Sequence, residues 1–572
     1  MFIFFLLLIS LNLFSQFEET VIISASPYPT TSEELKNHTE IIEEKEIKER
    51  ISLEEILRFS SSINILRSGS PGKVSSLFLR GSESNHTLLL LEGMPLNDPF
   101  FGNIYLSEYL SESFSKIEIL KGPYSSIYGS EGLGGVVSLF LNKENRANLS
   151  LGFGNFGYED LNFSYTKDKF IFQFSKHRED GAMENDGWDE NQTYFYYNGK
   201  NLKTMLFARK GKVEIPFNGT ILTPLRNQKT EDYILNFPFE KSFLSGWQIN
   251  GFVGILKSNF YFEDPEDSWG YTWGKTKSQR IFGNLKIFKT FESFDISFGL
   301  EAKEEKVWDK SVFGENLDGE NFQNTGVFFQ SKKNFKNFNL QLGLRYDFSS
   351  NFSDSLNPKI GLFFPYKKFN FYFQAGKGFR APSIGELYFP YSGNKDLKEE
   401  ELLSYELGFS YSNFTFNFFK NNFKNLIDFD FSKYQFENIG RAKTSGLEFS
   451  FKNSFLKLNM LYLKTKDLNE KKELLRRPSF SGNLILYKNI KDFSFYLSTI
   501  FVGKRWDINE YYERIKMKEF TRQDFSFKIN FKNGYDLKFK IENLFNSSYE
   551  EVFGYKALGR RFVLGFEKKF FI

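Results

Sequence analysis

From about Leu149 onward the chain alternates apolar and polar residues with period two, segment after segment, the pattern of strands whose two faces meet different surroundings. Leu161, Phe163 and Tyr165 alternate with Asn162, Ser164 and Thr166, and Phe338, Leu340, Leu342, Leu344 and Tyr346 alternate with Asn339, Gln341, Gly343, Arg345 and Asp347. Phe562, Leu564, Phe566, Phe570 and Ile572 continue the pattern, with Lys568 breaking the apolar row. A soluble β-sandwich would also alternate. Here, however, one face is crowded with Phe and Leu while the other carries Lys, Gln, Asn and Glu, as expected when one side meets lipid and the other a wet lumen. The region is long enough for about 22 such strands, since a membrane strand needs roughly ten residues. The expected fold is an all-β transmembrane barrel of antiparallel strands.

Composition agrees and narrows the function. The 73 Phe, 29 Tyr and 6 Trp are strand formers, and they far exceed what a soluble core requires. The absence of cysteine excludes disulfide scaffolds, cysteine-ligated metal centres and thiol enzymes. A net charge of +3, from 74 basic and 71 acidic residues, gives no general attraction for nucleic acid.

The N-terminal part differs. Met1 to Phe14 is almost wholly apolar and too short to span a membrane as a helix; with Ser15 and Gln16 after it, residues 1–15 read as an export signal, although the usual basic start is missing. Residues 16–32 form a linker. Residues 33–147 read as a compact α+β domain: Glu33 to Arg58 is charged and helix-prone, with Ile47, Ile51, Leu53, Ile56 and Leu57 as an apolar stripe, and glycine-punctuated hydrophobic runs follow, including Thr87 to Glu92 and Val136 to Leu141. A barrel this wide, taken as residues 148–572, cannot fill its lumen with its own side chains, so this domain is expected inside it as a plug. Polar stretches at about 178–192, 216–231, 259–278, 303–325, 388–402, 466–478 and 503–520 are expected to be external loops.

Three stretches of the plug carry a family resemblance: Leu77-Phe78-Leu79-Arg80-Gly81 with His86 to Asn97; Ile117 to Pro123; and Tyr128 to Val137. With them the chain resembles a TonB-dependent outer-membrane receptor over nearly its whole mature length. Thr20-Val21-Ile22-Ile23-Ser24-Ala25, an extended β-branched run able to add a strand to a partner sheet, looks like a TonB box, the segment pulled on by the TonB-ExbB-ExbD energy complex. Within the family, Asn425 to Asp428, Tyr434 to Asn438, Gly440 to Lys443 and Gly446 to Glu448 resemble the cobalamin receptor, as do Phe379 to Tyr388, Leu474 to Arg477, and Asn543 to Phe545 with Tyr549-Glu550 and Gly554-Tyr555. The resemblance implies a place among outer-membrane lipid and folding by the barrel-assembly machinery, which in the family usually reads a terminal aromatic residue where this chain has Ile572.

Site residues follow from parity and resemblance together. Glu406 and Glu448 fall on the polar parity of their strands and should face the lumen; with Arg80 and Lys121 they are expected to form plug-to-barrel ion pairs, since unpaired dry charge would be costly. Asp180, Glu184, Asp186, Asp189 and Glu190 crowd one loop, and Glu263, Asp264, Glu266 and Asp267 another. Oxygen-rich loops suit calcium, which the cobalamin receptor uses in loops of similar position, while simple solvated acidic loops account for them equally well; no cofactor is otherwise required. Arg67, Ser68 and Ser70 in one plug turn, and Phe100, Phe101 and Asn103 in another, are expected beneath the vestibule as substrate contacts.

The expected function is TonB-dependent uptake of a large scarce solute, a cobalamin or related corrinoid first and a ferric siderophore second. Phe379-Arg380-Ala381-Pro382 and Asn394 to Leu397 are similar to the paired boxes of haem receptors, but none of the three histidines, His38, His86 and His177, lies between them. An outer-membrane lipase or protease would need a nucleophile with a base, for which no motif exists. A passive porin would need neither plug motifs nor a TonB box.

Overall fold

The computed structural model describes residues 21–22, 30–31, 39–200, 202–218, 221–268 and 270–570. The export signal, most of the linker, His38 and the TonB-box residues Thr20, Ile23, Ser24 and Ala25 lie outside them. Val21–Ile22 pairs antiparallel with Thr30–Thr31.

Period-two alternation produces a closed antiparallel barrel of 22 strands, running from Arg146–Gly154 to Arg561–Phe570, the two strands that pair with each other to close the ladder. Closure removes every free sheet edge, as a lipid setting demands. The turns at one end are tight, such as 367–368 and 412–413, whereas the other end carries longer connections, including 381–399, 503–519 and 543–560. Short turns mark the periplasmic side and long ones the outside. Parity holds along each strand: Leu407 and Leu447 are 58% and 56% exposed on the outer wall, while their neighbours Glu406 and Glu448 are buried inside.

Two expectations need correction. The stretch 303–325 is not a loop, because strands Phe294–Ser311 and Gly314–Asn334 run through it; likewise strands Gln248–Asp264 and Thr272–Thr290 take up most of 259–278. Beyond the lipid both faces meet water, so the alternation fades although the hydrogen-bonded ladder continues. Within the helix-prone stretch Glu33 to Arg58, the described residues from Thr39 onward are also not one helix. Thr39–Glu43 is a strand, and two short helices, Glu44–Ile47 and Leu53–Leu57, follow it, separated by extended Ser52. Ile41 and Ile42 pair with Glu118 and Ile117, so sheet formation overrides local helix propensity.

Inside the barrel, a five-stranded sheet is ordered Thr39–Glu43, Phe114–Lys121, Gly135–Leu141, Thr87–Leu91, Met94–Pro95. Its apolar side chains, among them Leu89, Ile117, Ile119 and Val137, share one core with Tyr194, Met205, Phe207 and Leu256 of the inner wall.

Candidate functional site

Two arrangements carry the chemistry: the fastening of the plug, and the cleft above it. The fastening begins at the hairpin Ile63–Arg67/Ser75–Leu79, whose second strand is followed by a turn at Arg80 and Gly81, both at positive φ (53° and 81°). The turn sends the Arg80 side chain to the wall. Its Nε donates to Glu448 Oε1 at 2.8 Å and its Nη2 to Glu406 Oε1 at 2.6 Å, all three groups buried, with the guanidinium 4.7 Å above the Phe419 ring. Lys121 Nζ lies 3.6 Å from Glu448 and donates to Ser61 Oγ at 2.6 Å. The four residues singled out by parity and motif are thus brought together.

Further pairs encircle the plug. Arg58 Nη1 and the backbone N–H of Arg67 both donate to Glu551 Oε2 at 2.9 Å, and Arg522 pairs with Glu55 at 2.5 Å. Arg345 Nη1 donates to the Ile127 carbonyl at 2.8 Å, and Arg280 Nη1 to the Pro95 carbonyl at 3.0 Å. These partners were not read from the sequence. Their strand parity was visible in Arg345, which sits on the polar row, but which plug group each would meet was not.

The cleft is built on Asp98-Pro99-Phe100-Phe101-Gly102-Asn103. The Asp98 carboxylate accepts the N–H groups of Phe100 and Phe101 at 3.1 and 3.0 Å, the Asp98 N–H donates to the Asn103 carbonyl at 2.9 Å, and Gly102 supplies the positive φ of 73° that closes the turn. The turn raises both rings toward the outside. Phe101 lies 6.5 Å from Phe389 and 6.2 Å from Phe436, which in turn lies 5.3 Å from Phe429, giving an aromatic wall from the plug to the outer loops. The Phe100 carbonyl accepts from Gly385 N–H at 2.8 Å, and Arg380, bonded to Glu386 and Glu400, ties the loop 381–399 to plug residue His86, 2.9 Å from Glu400.

Beside this wall is a cavity of about 210 Å³ lined by Asp98, Phe100, Phe101, Tyr105, Asp232 and Phe260, with Glu108 at its base. One guanidinium, Arg209, faces three carboxylates there: Glu108 at 2.5 Å, Asp232 at 2.6 Å and Glu190 at 3.3 Å. The balance is acidic. Burial pushes the Asp98 carboxyl up to about 6 and Glu108 up to about 7, the latter against the opposing pull of Arg209. A larger cavity, about 420 Å³, lies below on the same wall and is lined by Tyr128, Lys143, Lys203, Glu240, Phe252 and Lys286. Strand Gln248–Asp264 borders both, with the Met94–Pro95 strand and Leu96 between them.

Other expected contacts are placed differently. Arg67 is buried, pairing with Glu54 and Glu55 at 2.9 Å, and the Ser70 hydroxyl donates to Asp186 at 2.7 Å; both face protein rather than the vestibule. Ser68 closes its turn by donating its N–H to the Val74 carbonyl, and Asn103 is exposed beside the two phenylalanines.

Of the carboxylates expected to suit calcium, six are placed as follows. Asp186 faces the plug and pairs with Lys73, Asp264 and Asp267 pair with Arg226, Asp180 pairs with Arg178, Asp189 accepts from Asn191, and Glu184 is exposed. Among the described residues no three His, Asp or Glu side chains gather as a metal site. Most of these carboxylates are instead taken by separate partners from the plug and the neighbouring strands. Of the histidines, His86 and His177 are buried and line neither cavity.

A closed barrel in a membrane, obstructed by a domain fastened through ion pairs and opening outward in a lined cleft, defines a gated outer-membrane transporter. A family model described as TonB-dependent receptor-like β-barrel matches residues 118–544, and one described as TonB-dependent receptor plug domain matches residues 31–136. The chain belongs to the TonB-dependent receptors, and its function is TonB-dependent transport across the outer membrane. Among solved structures, it is similar to the siderophore receptor PirA from Acinetobacter baumannii, at 14% identity and a TM-score of 0.76 over 95% of this chain and 100% of that one. It is similar to the copper transporter OprC, at 15% identity and a TM-score of 0.78 over 93% and 98%. The FrpB iron transporter from Neisseria meningitidis matches at 16% identity and a TM-score of 0.76 over 93% and 99%.

Proposed function

We propose that the cargo is a large metal chelate of neutral or positive charge with an apolar face, a ferric siderophore first and a corrinoid second. The observation that carries this reading is the pairing of an aromatic wall, Phe101, Phe389 and Phe436, with the carboxylates Asp98 and Asp232 beside it. Rings take the apolar face of a chelate and favour cations, whereas the carboxylates repel a polyanion such as a ferric tris-catecholate. Iron transport and siderophore reception by proteins of similar fold support the first choice. The sequence resemblance to the cobalamin receptor supports the second.

Transit follows the wall strand Gln248–Asp264, from the upper cavity past Met94–Pro95 to the lower one. The barrier there is small, a two-residue strand whose Pro95 carbonyl is held by Arg280. Traction on the N-terminal segment by TonB draws the plug sheet from this wall and joins the cavities.

Equilibrium binding to the purified, detergent-folded protein tests the charge rule with three probes: a cationic ferric trihydroxamate, cyanocobalamin and a ferric tris-catecholate. Tight binding of either of the first two with rejection of the third is expected. Preference for the catecholate overturns the reading.

A further inference from the structure

The outer wall carries a basic patch that neither the fold nor the transport path uses. On strands Phe414–Asp430, Gln435–Lys452 and Leu456–Asp467, the outward positions just beyond the apolar band are Lys420, Lys424, Arg441, Lys443, Lys464 and Lys466, all exposed. Lys443 stands directly across the ladder from Lys466, and Ser445 is flanked by Lys420 on one side and Lys464 on the other. Among the described residues none of the six makes an ion pair or a side-chain hydrogen bond. Glu401, which faces Lys424 in register, is taken by Lys377 at 2.6 Å.

Two other strands of the rim differ. On strands 203–214 and 294–311 the outward lysines are matched with carboxylates: Lys210 with Glu231 at 2.7 Å, Lys212 with Glu214 at 2.8 Å, Lys306 with Glu304 at 3.1 Å and Lys310 with Glu315 at 2.8 Å. Like charges directly opposed across a sheet are destabilising, so the Lys443/Lys466 pair gains from an anion supplied from outside the chain.

The surroundings say which anion. Immediately below the patch run two register rows of apolar side chains, Leu407–Phe418–Leu447–Tyr462 and Phe409–Phe416–Phe449–Met460. The patch lies at the long-loop end of the strands, so it meets the headgroup level of the outer leaflet while the rings below meet acyl chains. We propose that these six cations bind the phosphorylated headgroup of an outer-leaflet glycolipid, its acyl chains lying on the rings beneath. Several ammonium groups around a shared phosphate convert the mutual repulsion into charge-assisted hydrogen bonds.

The test uses the full chain folded in detergent, with diphosphoryl lipid A and its dephosphorylated form as probes, and native mass spectrometry and thermal melting as readouts. The triple variant Lys443→Gln, Lys464→Gln, Lys466→Gln should retain the phosphorylated lipid about a hundredfold less well, at one cation's worth of surface attraction per lysine. The control Lys210→Gln, Lys212→Gln, Lys306→Gln, Lys310→Gln should retain it as the parent does. The triple variant should melt higher than the parent without lipid, because repulsion is relieved, and should gain less when lipid is added. Equal retention by the triple variant, equal retention of the dephosphorylated probe, or the same gain in melting from inorganic phosphate alone would each overturn the proposal.

Discussion

Arg80 and Glu448 meet through two parallel hydrogen bonds, Nε to Oε1 at 2.8 Å and Nη2 to Oε2 at 2.9 Å, joining the barrel strand Gln435–Lys452 to the residue that follows the plug's first hairpin in a dry setting. Removing the guanidinium leaves Glu448 with Lys121 and Glu406 with the more distant pull of Lys359. Arg80→Leu is expected to weaken plug docking by about 3–5 kcal/mol, the range for an uncompensated buried charge. Planar-bilayer conductance should show spontaneous openings in this variant, and adding Glu406→Gln with Glu448→Gln should suppress them. Silence in the single variant would show that the other pairs suffice.

Gly385 predicts the importance of the aromatic wall without touching a ligand. A Cβ placed there would stand 2.5 Å from the Phe101 ring, so Gly385→Ala must displace that ring. Both Gly385→Ala and Phe101→Ala should weaken cargo binding about tenfold or more while leaving the melting temperature near that of the parent. Calorimetric titration of each variant decides the matter.

The cleft should respond to pH with a definite sign. Burial raises the Asp98 carboxyl to about 6 and Glu108 to about 7, so both favour the neutral form in the folded protein. Their contribution to stability is therefore complete below the ordinary carboxylate range and is lost as pH rises through those values. Binding of a cationic chelate needs the charged form and should strengthen over the same interval. Asp98→Asn should flatten the lower part of that rise in a binding titration, and an unchanged profile would exclude Asp98 as a ligand contact.

Because the chain has no cysteine, crosslinks can be placed cleanly. A Cβ on Gly254 would lie 2.9 Å from Met94 Sδ, across the barrier between the two cavities. The double variant Met94→Cys with Gly254→Cys, bridged by a short thiol reagent, should bind cargo normally and fail to transport it. Cleaving the bridge should restore uptake, and transport through the bridged form would place the path elsewhere.

The N-terminal segment should act through its backbone. Pairing with a partner sheet requires N–H donors, so Ile22→Pro should abolish uptake while binding remains, as should deletion of residues 17–26. Uptake surviving both changes would indicate passive passage.

Strand parity made much of this legible in the sequence. Glu406 and Glu448 announce their inward direction by standing between apolar neighbours, and Arg80 by its motif. What parity cannot give is the partner across the lumen: Glu551 meets Arg58 although 493 residues separate them, and no local pattern records such a meeting. The wall of Phe101, Phe389 and Phe436 was half visible, since the plug turn is local and the other two rings come from distant loops. In the acidic loops a count of carboxylates does not show that Lys73, Arg178 and Arg226 pair with Asp186, Asp180, Asp264 and Asp267. The helix expected from Glu33 to Arg58 failed at Ile41 and Ile42, where a neighbouring strand offered hydrogen bonds that propensity alone does not anticipate.

The Arg58–Glu551 contact has a bearing on how the molecule is made. The plug is synthesised and exported first, yet Glu551, the barrel carboxylate that Arg58 meets, arrives on the connection just before the last barrel strand. Until the final strand joins the first, Arg58 and Arg67 share only the plug's own Glu54 and Glu55, and the contact to Glu551 is missing. The plug is therefore fully fastened only when the ring is complete, and its seating records, within each molecule, that assembly has been finished.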